Sequence, residues 1–88
     1  MDIYIVYNND SILKRIGDAK LKASPFFHFI DDRTYKGKKD SWKVKGALSA
    51  KLTPFIAVYE NNVPIKAFYS ETGEDVIESL INFINNYA

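Results

Sequence analysis

Three short stretches, residues 3–7, 26–30 and 55–60, are apolar on alternate and on intervening positions. Successive side chains of a strand point to opposite faces, so such a run must be covered on both sides. In the third, Phe55, Ala57 and Tyr59 share one face, while Ile56 and Val58 share the other. A sheet built from strands of this kind sits between two layers, which points to the α/β class. The demand is sharpened by the length: 88 residues make one small domain, and with no cysteine there is no disulfide or zinc–thiolate staple. Stability has to come from packing, for which 47% hydrophobic and 15% aromatic residues suffice.

Between these runs the apolar period changes to that of helices. Asn8-Asn9-Asp10-Ser11 supplies turn and N-cap residues, with Ser11 beside Asp10 as the cap. Ile12, Leu13, Ile16 and Ala19 then follow at helical spacing, predicting a helix to about Lys22. Ser24-Pro25 stops it, because a residue before proline avoids the α region. A polar loop over 31–40 leads to Ser41, which can cap a short helix carrying Trp42, Ala47 and Leu48. Gly46 weakens that helix by about 1 kcal/mol relative to alanine.

After the third strand, Asn61-Asn62 tolerates positive φ and predicts a two-residue hairpin into residues 63–69. Pro64 lies inside this fourth strand and cannot donate to a ladder, so the strand belongs at a sheet edge. The segment 70–73 gives a turn and a start signal, and Val76, Ile77, Leu80, Ile81 and Ile84 form the stripe of a last helix. The order is β-α-β-α-β-β-α. It predicts a four-stranded mixed sheet with helices on both faces, its first crossover joining parallel strands.

The net charge of +1 gives no whole-molecule field toward nucleic acid or a membrane surface. Its distribution is uneven. Arg33, Lys36, Lys38, Lys39, Lys43, Lys45 and Lys51 face only Asp40 across 33–51, while residues from 71 onward carry four acids and no base. Neither a basic leader nor an apolar run long enough to span a bilayer is seen, so a cytoplasmic protein is expected. Abundant Asn, Ile, Lys and Tyr fit an AT-rich genome, bacterial or phage.

Thr53-Pro54-Phe55-Ile56-Ala57-Val58-Tyr59-Glu60-Asn61-Asn62-Val63-Pro64-Ile65, set in that element order, resembles the thioredoxin and glutaredoxin family. The family carries a Thr-Pro or similar pair with a cis bond here, followed by the hairpin and a final helix. The resemblance implies a thioredoxin-like fold with a central third strand, an edge fourth strand, and a groove beside Thr53 and Pro54 for an extended partner backbone. It also exposes a departure. The family's reactive cysteines follow the first strand, where this chain has Asn8, Asn9, Asp10, Ser11 and Ile12. Thiol–disulfide exchange is therefore excluded. Ser11 has no neighbouring base to activate it, and 88 residues leave no room for the second domain of glutathione-transferase-like enzymes.

Other chemistry-bearing residues read more simply. His28, the sole histidine, sits among phenylalanines and has no second ligand at zinc-like spacing. Asp31 and Asp32 are adjacent in an extended segment, so their carboxylates diverge. Gly37 lacks the spacing of a phosphate loop and serves a turn. The expectation is a non-catalytic protein-binding or adaptor module without cofactor or metal. Thr53, Pro54, Trp42, Lys36, Lys38 and Lys39 are its candidate contact residues. The alternative is a nucleic-acid-associated protein using the basic segment, with Trp42 as a stacking aromatic.

Overall fold

In the computed structural model the described residues are 1–33, 54–70 and 75–87. The central strands β1 (Asp2–Tyr7) and β3 (Phe55–Glu60) are flanked by β2 (Phe26–Asp31) and β4 (Val63–Tyr69), in the order β2-β1-β3-β4. β1 and β2 are parallel, with Ile5 opposite Phe29. β3 runs antiparallel to both β1 and β4, with Ile5 opposite Ile56 and Ile56 opposite Phe68. The predicted mixed four-stranded sheet is thus formed. The helix predicted around Ser41, Trp42, Ala47 and Leu48 lies outside the described residues.

β1 serves two apolar layers at once. Ile3, Ile5 and Tyr7 join Ile56 and Val58 on one face, under α1 (Ser11–Asp18) and α2 (Val76–Asn86). These helices contribute Ile12, Ile16, Val76, Ile77, Leu80 and Ile84. Each fully buried aliphatic side chain stabilises by roughly 1.5–3 kcal/mol relative to exposure. On the opposite face Tyr4, Val6, Ile30, Ala57 and Tyr59 form a second buried cluster. The two-sided apolar pattern of β1 and β3 therefore reports a two-sided core.

β2 departs from that reading. It too is apolar on both faces, yet it lies at one end of the described sheet, with Phe26 75% and Phe29 39% exposed. An apolar run shows what a strand can bury and leaves open which neighbours it has. At the other end, β4 is the edge that Pro64 demanded. Pro64 stands opposite Tyr59, where the register shifts after Val58. Asn61 and Asn62 have φ of 51° and 64°, the paired left-handed conformation that matches hairpin twist.

α1 ends at Asp18, earlier than the spacing of its apolar residues predicts. The backbone beyond it has a partner that a helix would not give. The carboxamide of Asn85 on α2 accepts from the Lys22 N–H at 2.8 Å and donates to the Lys20 carbonyl at 3.1 Å. Among the described residues no helix is long and apolar enough to cross a membrane.

Candidate functional site

Where β1 ends and α1 begins, the chain turns through Asn8, Asn9 and Asp10. Ser11 does not cap this helix as expected. It is the first helical residue, and its N–H donates to Asn9 Oδ1 at 2.9 Å. The Ile12 N–H donates to the Asn9 carbonyl at 3.1 Å. Asp10 stands at the cap position, but its carboxylate makes no cap hydrogen bond. It accepts instead from Arg33 Nη2 at 2.6 Å, and Asp31 accepts from the Arg33 Nε and backbone N–H, both at 2.9 Å. Arg33 is thereby tied to the β1–α1 turn, and its guanidinium is held charged most strongly by Asp31, then by Asp10.

Across from this turn, Asp75 caps α2, its Oδ1 accepting from the Glu78 N–H at 3.1 Å. The turn and start signal read at 70–73 falls largely on residues 71–74, which lie outside the described part. Arg15 of α1 donates from Nη2 to Asp75 Oδ2 at 2.6 Å. The Arg15 hydrogen bond holds the Asp75 carboxyl below its ordinary range, and the Glu78 amide adds to the effect. The same contact raises Arg15. Since folding lowers the pKa of Asp75, its contribution is complete above the unfolded value of about 4 and fades below it. Asp75→Asn keeps a capping oxygen and removes the charge. In thermal melts across pH, it should lie below the wild type at neutral pH, and the two curves should merge toward about pH 2.

These elements enclose an open cleft of about 440 Å³, lined by Asn8, Asn9, Ser11, Ile12, Arg15, Pro54, Asp75, Val76 and Ile77. Its rim is formed by carboxamides, a hydroxyl and one internally matched ion pair, and its apolar lining comes from Ile12, Pro54, Val76 and Ile77. Such a surface offers neutral hydrogen-bonding groups beside a small apolar patch, which suits an uncharged polar chain such as a peptide backbone. The hydroxyl of Ser11 has no imidazole to activate it: His28, the sole histidine, belongs to the far face of the sheet. There its ring stacks on Tyr4, with centroids 4.3 Å apart, and its Nε2 lies 3.0 Å from Asp2 Oδ1. Among the described residues no group of three His, Asp or Glu side chains is placed to hold a metal ion.

No protein-family model matches the chain, and no curated protein or solved structure does. What can be said of the site comes from its own geometry.

Of the residues singled out in the sequence, Pro54 lies in the cleft wall, next to the start of β3. Thr53, Trp42, Lys36, Lys38 and Lys39 lie outside the described residues, as does the rest of the basic segment after Arg33. The Asp31 carboxylate turns to Arg33, and the Asp32 N–H donates to the Tyr7 carbonyl at 2.9 Å. Arg15 and Asp75 were missed. They are far apart in sequence, and their only local signals were a base on a helix and an acid before one.

Proposed function

We propose that the chain is a non-catalytic, thioredoxin-like module that holds an extended segment of a protein partner in the cleft beside Pro54. The observation that carries this reading is the cleft itself. It brings the β1–α1 turn, Pro54 and the start of α2 to one place, and the turn offers Asn8, Asn9 and Ser11 where thiol chemistry would need cysteine. The strand order β2-β1-β3-β4, with β3 antiparallel to its neighbours, supports the same assignment. A helix packed over the face of Tyr4, Val6 and Tyr59, as in relatives of that fold, belongs to this proposal. Thr53 would extend the groove on the side of Pro54, and Trp42 with Lys36, Lys38 and Lys39 would form a second contact region.

Peptides selected from a displayed random library on the wild-type chain provide the test. Ser11→Arg places a long cation in the cleft at an exposed helix start and should abolish retention of the selected peptides, about tenfold or more in affinity. Val63→Arg, on the exposed part of β4, should leave retention unchanged. Peptides that bind both variants equally would move the binding surface elsewhere, and a library that yields no binder would remove the proposal.

A further inference from the structure

The two edges of the described sheet are built differently. β4 is guarded: Pro64 lacks an N–H, the register shifts beside it, and Lys66 places its amine 5.6 Å from the Phe68 ring centre on the strand. β2 carries none of these devices. Its sequence is Phe-Phe-His-Phe-Ile-Asp, without proline or a register shift against β1.

The outer side of β2 can be read from its bonds to β1. The Phe26 N–H donates to the Met1 carbonyl at 3.0 Å, and the Asp32 N–H donates to the Tyr7 carbonyl. With a period of two, the even-numbered residues bond inward. Phe27 and Phe29 therefore turn their N–H and C=O groups away from β1. Their side chains lie on the helix face, stacked with centroids 5.8 Å apart, while Phe26, His28 and Ile30 share the other face.

We propose that β2 is the surface through which two copies of this chain join, antiparallel about a two-fold axis at His28, making one continuous sheet. An isologous contact requires a self-complementary strand, and this one qualifies. In the register centred on His28, Phe27 lies opposite the second copy's Phe29, and Phe26 lies opposite its Ile30. Both faces then place apolar against apolar. A shift by one residue would set residues of opposite faces against each other. A shift by two sets Phe27 against Asp31 in one direction and Phe29 against Pro25, which has no N–H, in the other. Charge favours the same direction, because β2 ends in Asp31, whose carboxylate is held by Arg33, and Asp32, and is approached through Lys20 and Lys22. Antiparallel pairing brings the acidic end of one copy toward the basic approach of the other, whereas parallel pairing aligns acid with acid. Closure consumes both β2 edges and leaves only guarded β4 edges, so assembly stops at two. None of the cleft-lining residues belongs to β2, so this inference stands apart from the peptide-binding reading.

The absence of cysteine makes the test clean. His28→Cys introduces a single thiol at the two-fold axis, in a pair whose Cα atoms are about 4.5 Å apart and within disulfide reach. Mild oxidation should convert it to a covalent dimer, whereas Lys66→Cys on β4 should form no covalent dimer. Sedimentation equilibrium of the wild type should give twice the 10.1 kDa chain mass. Phe26→Lys should give the chain mass with an unchanged circular dichroism spectrum, since Phe26 is largely exposed. A wild type that stays monomeric up to about 1 mM, assemblies larger than two, or equal cross-linking through position 66 would each overturn the proposal.

Discussion

Replacing Leu80 by alanine should cost about 2–5 kcal/mol and lower the midpoint of thermal unfolding by more than about 10 °C. Leu80 is fully buried at the centre of the α2 stripe, in the cluster formed with Ile5, Ile56 and Ile77. Truncation removes apolar contact and leaves a cavity, because the sheet and two helices cannot collapse completely onto it. A domain of this length has about 4–13 kcal/mol of total stability, so the loss is a large fraction of it. Urea unfolding followed by circular dichroism reads the change directly. A loss under about 1 kcal/mol would mean that α2 does not pack on the sheet through this stripe.

The second large effect is expected at a polar surface residue. Asn85→Ala should cost about 1–2 kcal/mol, because one carboxamide satisfies two backbone groups of the segment after α1. Water can reach both groups, which keeps the figure below that for two buried bonds. Asn85→Asp should retain the acceptor for Lys22 N–H and lose the donor to the Lys20 carbonyl, falling between the two. Hydrogen exchange discriminates this from a general loosening. The Lys22 amide should lose protection in Asn85→Ala and keep most of it in Asn85→Asp, while the β1 amides change only with global stability.

The parts of this architecture that could be read from the sequence are those set by neighbours along the chain. Short runs apolar on both faces placed β1 and β3, Asn61-Asn62 gave the hairpin, and Pro64 sent β4 to an edge. The stripe of α2 was legible, with Val76, Ile77, Leu80 and Ile84 buried and the half-buried Ile81 packed against them. What escaped depends on residues brought together by folding. The end of α1 is decided by Asn85 on another helix. The carboxylate of Asp10 leaves its own helix start for Arg33, which follows β2. The wall of the cleft opposite Pro54 needed Arg15 and Asp75 to meet, and no local pattern marks that meeting. Pro54 was singled out only through the resemblance of Thr53-Pro54 to the thioredoxin family's pair, and it lies in the wall of the cleft. The exposure of Phe26 went unread for a related reason: residue types tell that a strand is apolar and are silent about its outer neighbour.

The position of β1 between β2 and β3 has a consequence for how this chain is made. During synthesis β1, α1 and β2 emerge together, and β1 can pair with β2 at once. Its other partner and the helix that covers Ile3 and Ile5 come from the opposite half of the chain. Until those arrive, β1 has only α1 on one face and Ile30 on the other, and the early hairpin-free unit presents much of Ile5, Val6 and the β2 phenylalanines to water. Synthesis therefore passes through an interval in which the nascent chain is sticky, and cooperative folding waits for its last helix. The first half of this protein exposes strand faces before it is half of a fold.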